Sequence, residues 1–277
     1  QGNAGGKDAG LTFGGYSPSP EMLDTSEEYD GSSWTASNTL NTGRYGLRGF
    51  GIQTAAVAVG GQVPGGQTTA AENYDGSTWT NTGAMSIARE EATVFGIQAA
   101  GVACGGFNST TNVPETEEFN GSTWSSNPNN LNTTSYAGMS AGTLTAGVRA
   151  GGVNPYPSGT KITVTEEFDG TNWTGGGTLV EAVSHAAPSK NGTQTAWQFA
   201  GGRNAGGIIA TTFAYDGSTW TTSPATLGSA KTEFDGGGTV SGAGAHLVCG
   251  GALPPAGATT TEEFTASVAE TQTLTTS

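Results

Sequence analysis

The chain has 277 residues, of which 47 are glycine, and only 12% are charged, against roughly 25% in a typical soluble domain. Its 23 acidic residues outnumber the 9 basic residues, which gives a net charge of −14. This balance argues against a nucleic-acid partner, because phosphate binding requires clustered lysine and arginine. No apolar run approaches the ~20 residues of a spanning helix, so we predict no membrane insertion. No basic and apolar leader opens the chain, and we expect any targeting segment to be absent or removed.

Paired glycines recur along the whole chain, at Gly14-Gly15, Gly60-Gly61, Gly105-Gly106, Gly151-Gly152, Gly201-Gly202 and Gly250-Gly251. A second motif, typically Glu-Glu-Phe/Tyr-Asp-Gly-x-x-Trp, follows each pair. Its copies run from Glu27 to Trp34, Glu72 to Trp79, Glu117 to Trp124, Glu166 to Trp173 and Phe213 to Trp220, with a degraded copy from Glu262 to Phe264. Six copies of one unit therefore fill the chain.

Each unit contains four strand-sized pieces, which the second unit illustrates. We predict strands near 45–52, 54–59 and 69–74, and a fourth strand that begins at Trp79. Asp75-Gly76 is the strongest hairpin signal, because both residues tolerate positive φ. Short β-branched and aromatic runs between Gly, Asn, Asp and Pro predict an all-β protein, and no long window shows helical periodicity.

A four-stranded unit of roughly 45 residues has the size of one β-propeller blade. The order Gly-Gly, then Tyr-Asp, then Trp resembles the kelch repeat, in the divergent Gly/Thr-rich form found in tailed bacteriophages and marine viruses. Kelch blades usually carry Arg before the first strand; Arg44 and Arg89 fit, whereas we align Ser135 and His185 with them in later units. We predict one six-bladed, kelch-like β-propeller with four-stranded antiparallel blades, over residues 1–42, 43–87, 88–133, 134–182, 183–228 and 229–277.

A ring of blades has to close between its two ends. The first Gly-Gly lies so near Gln1 that the first blade has barely room for a first strand. We predict that the Thr-rich segment 265–277 pairs with the edge of the N-terminal blade or completes the last blade. Pairing of the terminal segments would then hide the sheet edges.

The tryptophans of the repeat recur at one position, which favours a structural role as wedges between blades over a sugar-binding platform. They are Trp34, Trp79, Trp124, Trp173 and Trp220. The paired glutamates of the repeat have two interpretations. They either hydrogen-bond the backbone of neighbouring segments, or one Glu per blade forms an acidic girdle that attracts Ca²⁺. We favour the first interpretation and predict no cofactor.

Cys104 and Cys249 occupy the same repeat position in blades on opposite sides of a six-bladed ring. They are therefore predicted to be buried free thiols, too far apart for a disulfide. His185 and His246 lie in different blades and form no metal-binding motif. No nucleophile-elbow motif stands out, so we predict that the chain is not an enzyme and has no catalytic residues.

The Gly-Ile-Gln and Asp-Gly turns are short and similar, whereas the loops after Gly-Gly and the links between blades vary. Variable loops on one face of a rigid scaffold are typical of a binding surface. Our candidate binding residues in these loops are Tyr16, Phe107, Asn108, Tyr156, Arg203 and Asn204. Arg44, Arg89 and His185, before first strands, are predicted to line the channel mouth on that face.

The resemblance to phage kelch-like repeats implies a structural or adhesion protein of a virion, in a tail, fibre or capsid-associated position. Its loop face would bind a host-surface glycan or another virion protein, and it would be exposed outside the cell after assembly in the host cytoplasm. Two alternatives remain open. One is a secreted carbohydrate-active enzyme on a propeller scaffold, and the other is a cellular surface adhesin or filament subunit.

Overall fold

The computed structural model describes residues 1–17, 21–156, 159–232, 236–238, 246–253, 256–257, 260–264 and 272–275. Its main sheets each contain four antiparallel strands, and within each sheet the order along the chain is the order in space. Repeated four-stranded sheets of this kind form an all-β propeller. No helix occurs in the described part of the chain.

The structure describes all four strands in each of five blades, which is one blade fewer than the six predicted. Their strands are Gly2–Gly6, Ala9–Ser17, Glu21–Tyr29 and Trp34–Ser37; Arg48–Ile52, Ala55–Val59, Ala71–Tyr74 and Trp79–Asn81; Thr93–Ile97, Ala100–Cys104, Thr116–Phe119 and Trp124–Ser126; Met139–Thr143, Ala146–Ala150, Thr165–Phe168 and Trp173–Gly175; and Ala187–Pro188, Trp197–Ala200, Thr212–Tyr215 and Trp220–Thr222. The first blade has a complete first strand, Gly2–Gly6, where we predicted barely enough room for one.

The sixth repeat also pairs four strands in the same order, although many of its residues lie outside the described part. These strands are Gly236–Gly238, His246–Cys249, Thr260–Phe264 and Gln272–Thr275. Of the two places predicted for the C-terminal segment, the second is confirmed for Gln272–Thr275, whereas the pairing of the two terminal segments with each other is not found in the described strands. Gln272–Thr275 completes the sheet of its own repeat, and Gly2–Gly6 pairs with Ala9–Ser17. Both edges find partners locally, so closure does not require a shared sheet.

The two ends of the chain nevertheless meet through side chains. The Trp34 indole N–H donates to Thr261 Oγ1 at 2.8 Å, and the Tyr29 hydroxyl donates to Glu263 Oε1 at 2.8 Å. Gln1 Nε2 donates to the carbonyl of Cys249 at 3.1 Å. The first blade therefore packs directly against the last repeat.

The Gly-Gly pairs lie where one blade contacts the backbone of the next. Gly60 and Gly61 have φ of 59° and 97°, and the Gly61 N–H donates to the carbonyl of Arg89 at 2.9 Å. A Cβ on Gly60 would lie 2.4 Å from that same carbonyl oxygen. Both the left-handed backbone and the close approach therefore require glycine.

Aromatic rings of one blade also pack over glycines of the next. A Cβ on Gly101 would lie 2.3 Å from the Phe50 ring, and a Cβ on Gly147 would lie 2.1 Å from the Phe95 ring. Phe50 and Phe95 belong to first strands, and both rings are almost fully buried. The hydrophobic core is thus divided among the interfaces between blades. The absence of a side chain at these glycines lets neighbouring sheets pack closely.

The central channel is crossed by a segment of the fifth blade. The ammonium group of Lys190 donates to the carbonyl of Gly49 in the second blade, and Lys190 is 4% exposed. Asn191 Nδ2 donates to the carbonyl of Gly5 in the first blade at 3.1 Å. The fifth blade therefore contacts the opposite side of the ring as well as its neighbours.

Candidate functional site

One face of the propeller carries small two-stranded hairpins that the sequence pattern did not predict. They join second and third strands, and pair Gln62–Val63 with Gly66–Gln67, Val153–Asn154 with Thr160–Lys161, Arg203–Asn204 with Gly207–Ile208 and Ala252–Leu253 with Ala256–Gly257. Four linkers between blades bridge to the loops that join second and third strands, at Tyr45↔Gln62, Glu90↔Phe107, Tyr136↔Val153 and Ser184↔Arg203. The variable loops and the linkers therefore share this side, which we call the loop face.

An aromatic cluster lies on the loop face, built from Tyr16, Tyr45, Phe107, Tyr136 and Tyr156. The rings of Phe107 and Tyr156 stack with centroids 3.6 Å apart, and both contact Tyr136, at 6.3 and 5.9 Å. Tyr16 packs edge-on against Tyr45 at 5.5 Å. Tyr16 is 57% exposed and Tyr156 is 37% exposed, so the cluster presents ring surface to solvent.

The Tyr45 hydroxyl is influenced by charges on both parts of the cluster. Burial raises the pKa of Tyr45, and the nearby charges of Glu90, Tyr16, Glu91 and Tyr156 raise it further. The same hydroxyl donates to Gln62 Oε1 at 2.5 Å. Side chains from four successive blades therefore come within electrostatic reach of one group.

Glu90 stands beside the cluster with a neutral partner. Its Oε1 accepts a hydrogen bond from Gln67 Nε2 at 3.0 Å, and Gln67 also contacts the Ser109 hydroxyl. Burial raises the pKa of Glu90, the bond from Gln67 lowers it, and the like charge of Glu91 raises it. Glu90 is thus a carboxylate whose charged form is poorly compensated by its surroundings.

Glu91 and His185 come from linkers that are separated by the linker of Ala137, and Glu91 Oε2 lies 3.2 Å from His185 Nε2. Burial alone would raise the pKa of Glu91, but His185 and Arg48 hold it at about 2. The imidazole also lies edge-on to Tyr136 at 6.1 Å, and its Nδ1 is 3.0 Å from the Ser184 hydroxyl. Of the predicted channel-mouth residues, His185 is the one that lies beside the aromatic cluster.

Backbone hydrogen bonds run between these linkers in an arc. The N–H of Glu91 donates to the carbonyl of Gly46, Ala137 donates to Glu91, and His185 donates to Ala137, at 2.7, 3.0 and 3.0 Å. Glu91, Ala137 and His185 have φ of 50°, 53° and 55°, in the left-handed region that Gly46 also occupies. That region costs non-glycine residues about 1 kcal/mol each. The arc therefore fixes the acidic residue and the imidazole at some cost in backbone energy.

Arg44 and Arg89 do not line the channel mouth. Arg44 Nη1 lies 2.8 Å from Glu72 Oε1, Arg89 Nη2 lies 2.7 Å from Glu117 Oε1, and both arginines are fully buried. Their long side chains turn into the blade because the first glutamate of the repeat is buried there and needs a cation. They are structural residues.

The fourth blade keeps this ion pair although its linker has Ser135 in place of Arg. Arg149, from the second strand, donates through Nε to Glu166 Oε2 at 2.8 Å and through Nη1 to Ser135 Oγ at 2.7 Å. In the fifth blade the residue equivalent to Arg89 is Val183, not His185, since the Val183 carbonyl accepts the Gly152 N–H. Phe213 replaces the glutamate there, so both charges are absent together.

The other predicted loop residues shape loops. Asn108 Oδ1 accepts hydrogen bonds from the N–H groups of Thr110 and Thr111, at 3.2 and 3.0 Å. Asn204 lies in the hairpin that begins at Arg203, and its Nδ2 donates to Glu181 Oε2 at 3.1 Å. These residues lie on the loop face, but the described contacts do not bring Arg203 or Asn204 to the aromatic cluster.

The glutamates of the repeat are held by neighbouring segments. Besides the buried cations, the first glutamate accepts backbone N–H bonds from the preceding linker, as at Ser86 N to Glu117 Oε2 at 2.6 Å. The second glutamate accepts a bond from the Tyr of the next blade, as Glu167 does from Tyr215 at 2.6 Å. Among the described residues, no group of three or more His, Cys, Asp or Glu is arranged to hold a metal ion. The acidic-girdle hypothesis therefore finds no geometric support in that part of the chain.

The repeat tryptophans lie between blades and the cysteines lie inside them. The indole N–H of Trp173 donates to Thr116 of the preceding blade at 2.9 Å, and that of Trp220 donates to Thr165 at 2.9 Å. Cys104 and Cys249 are free and buried, as predicted. Burial raises the pKa of Cys104 to about 12, so this thiol is protonated at neutral pH.

Sequence reasoning missed Tyr45, Tyr136 and Glu90 as members of the site. All three follow directly on the position of Arg44, Arg89 and Ser135 in the linkers. The recurrence of a tyrosine at this linker position, as Tyr45 and Tyr136, was a signal that could have identified these two residues. The search for repeats passed over it because the linkers vary in the residues around it.

The chain shows no match to any protein-family model, and a search of curated proteins finds no significant relative. No helix in the described part of the chain is long and apolar enough to cross a membrane. The propeller architecture and the aromatic cluster are therefore the basis for a functional proposal.

Proposed function

We propose that this protein is a non-enzymatic binding propeller, and that the aromatic cluster on its loop face binds a glycan. The observation that carries the proposal is the partly exposed Tyr156, stacked on Phe107 beside Tyr136. Aromatic faces pack well against the C–H surfaces of pyranose rings, and phenol hydroxyls can hydrogen-bond at the same time. Gln62, Gln67 and Glu90 at the edge of the cluster supply further partners for sugar hydroxyls.

The partners of the two nearby carboxylates, Glu90 and Glu91, agree with a binding role without catalysis. Glu91 is paired with His185, and Glu90 accepts a bond from Gln67. These residues are adjacent in the chain and form no separated pair flanking a cleft, which glycoside hydrolysis requires. A propeller carrying such a face acts as a rigid platform for recognition.

We further propose that the ring has six blades and that the protein belongs to a virion, where the loop face meets a host-surface glycan or another virion protein. The sixth set of four paired strands and its contacts with the first blade support the blade number. The kelch-like repeat, with its resemblance to phage proteins, is the support for the virion. Mass spectrometry of purified virions that encode the chain should detect it, and its absence from them would contradict this assignment.

The test of glycan binding uses the intact chain on a glycan array, followed by calorimetry with the best ligand. Tyr156→Ala removes the exposed ring and should weaken binding roughly tenfold or more, since aromatic anchors dominate such interfaces. Ile97→Ala is the matched control, because Ile97 is an exposed apolar residue on a turn between first and second strands. It should bind like the parent protein.

An array without a bound glycan, or equal affinity of the parent and Tyr156→Ala, would contradict a glycan site at this cluster. Chromatography of the ligand after prolonged incubation tests the non-enzymatic part. Cleaved or modified ligand would favour the carbohydrate-active enzyme instead.

A further inference from the structure

Glu90 differs from the buried repeat glutamates in the partner that its carboxylate has. Glu72, Glu117 and Glu262 each lie within 2.8 Å of an arginine or lysine nitrogen. Within the described ranges, no Lys, Arg or His forms an ion pair with Glu90, whose side chain contacts the neutral amide of Gln67. A partly buried carboxylate without a cation is the arrangement that a positively charged ligand would complete.

The surroundings of Glu90 match such a ligand. A Cβ on Gly46, next to Tyr45 in the chain, would lie 2.9 Å from Glu90 Oε2, and Tyr16 packs on Tyr45. The backbone of Glu90 also pairs with that of Phe107, whose ring stacks on Tyr156. Phenol rings attract ammonium groups over their faces, and the attraction grows when water is excluded. A carboxylate next to several such rings combines a charge-assisted hydrogen bond with cation–π contact.

The sign of the whole surface favours the same ligand charge. The chain has a net charge of −14, which attracts cations and repels anionic sugars such as uronic or sialic acids. His185 and Arg48 act on Glu91 instead, since His185 Nε2 lies 3.2 Å from Glu91 Oε2 and the charge of Arg48 lowers the pKa of Glu91. Glu90 therefore keeps its charge available.

We propose that the glycan bound at the aromatic cluster carries an amino sugar, whose free ammonium group contacts Glu90 and whose ring packs on the tyrosines. This inference rests on the proposed glycan-binding function and adds the class of sugar to it. The N-acetylated form of the same sugar has no charge at that nitrogen, so it forfeits the ion pair while keeping the ring contacts.

The experiment compares a glucosamine trisaccharide with its fully N-acetylated counterpart, by calorimetry on the intact chain at constant ionic strength. The parent protein should bind the free-amine form roughly tenfold more tightly, since a charge-assisted hydrogen bond is roughly twice as strong as a neutral one and the difference in free energy amounts to about tenfold in affinity. Glu90→Gln should abolish this difference while retaining the weaker binding of the N-acetylated form. That retained binding, with an unchanged unfolding temperature, shows that the variant is folded.

Glu27→Gln is the matched control, because Glu27 is an exposed carboxylate in the first blade and its loss changes the net charge equally. It should keep the tenfold preference, which separates the Glu90 contact from general attraction to an acidic protein. Equal binding of both trisaccharides, with both lost in Tyr156→Ala, would overturn the amino-sugar inference and leave the glycan-binding proposal standing.

Two further outcomes also count against the inference. If neither trisaccharide binds, the amino sugar is excluded, and the glycan array then decides whether the broader proposal fails too. A lysine-rich peptide that binds through Glu90 when the trisaccharide does not would assign the cluster to a protein partner.

Discussion

At the scale of single residues, one missing hydroxyl distinguishes the interface between the second and third blades. Most repeat tryptophans donate to a Ser or Thr of the preceding blade, as Trp79 does to Ser26 and Trp173 to Thr116. The equivalent residue for Trp124 is Ala71, and the Trp124 indole nitrogen is buried without a hydrogen-bond partner. An unpaired buried donor costs about 1–3 kcal/mol.

Ala71→Ser should therefore stabilise the protein by about 1 kcal/mol, because it supplies the acceptor that Ser26 provides in the first blade. The midpoint of urea unfolding should rise with no change in its slope. The same substitution in a Trp124→Phe background has no donor to satisfy and should bring no gain. A gain of equal size in both backgrounds would show that the hydroxyl acts in another way.

At the scale of the blade, the buried ion pair and its apolar replacement are two solutions to one packing problem. Arg89 and Glu117 are both fully buried. In the fifth blade Val183 and Phe213 occupy these two positions, and both are also buried. The two solutions are alternatives for the pair, because either charge alone would be buried without compensation.

Arg89→Val and Glu117→Phe should each destabilise the protein by about 3–5 kcal/mol when made singly, since each leaves the opposite charge buried. The double variant reproduces the fifth blade and should be more stable than either single variant. Urea unfolding of the four proteins gives the coupling energy. Additive losses in the double variant would contradict the idea that the residues act as a unit.

The hairpin between the third and fourth strands recurs in the five blades that are described in full, and we expect its contribution to stability to depend on pH. Asp75 Oδ1 accepts the N–H groups of Ser77 and Thr78 at 2.9 and 2.7 Å, and these bonds lower the pKa of Asp75 to about 2. In the third blade Asn120 forms the same turn, with N–H bonds from Ser122 and Thr123. A neutral residue therefore supports this geometry as well.

Because the pKa of Asp75 is lower in the folded chain than in the unfolded chain, its contribution to stability is complete above about pH 4. It should be lost as the pH falls from there to about 2. Asp75→Asn should be less stable than the parent protein at pH 7, and this difference should shrink below about pH 4 and disappear below about pH 2. Unfolding temperatures measured across this range test the prediction, and a difference independent of pH would contradict it.

At the scale of the whole molecule, the ring closes through side chains contributed by the first blade and the last repeat. Trp34 and Thr261 are far apart in the chain, yet they make the same indole-to-hydroxyl bond that other neighbouring blades make. Closure is thus one more copy of the ordinary blade interface.

A double-mutant cycle tests this closure in solution. Trp34→Phe and Thr261→Val each remove one partner, and we expect a coupling energy of about 1 kcal/mol between them. Trp34→Phe combined with Thr116→Val pairs two residues of separate interfaces and should be additive. Additivity of the first pair would mean that the ends of the chain do not meet.

The repeat predicted the propeller, the order of the strands and the sides on which turns and loops lie, because glycine pairs and Asp-Gly turns act locally. The roles of Arg44 and Arg89 were not predictable in this way, since the direction of a long side chain depends on the buried glutamate that it meets. The aromatic cluster escaped notice for a related reason. Phe107 and Tyr156 belong to different blades, and their rings stack only once the blades are arranged around an axis.

Lys190 adds a constraint of a different kind, because it spans the middle of the ring from the fifth blade to the second. Its side chain has a fixed length, so its contact with Gly49 limits the diameter of the ring, together with the angles between neighbouring blades. A further repeat inserted into the ring would widen the circle and pull the ammonium away from its carbonyl. A chain with another number of blades could therefore keep this lysine only by giving up its contact with Gly49.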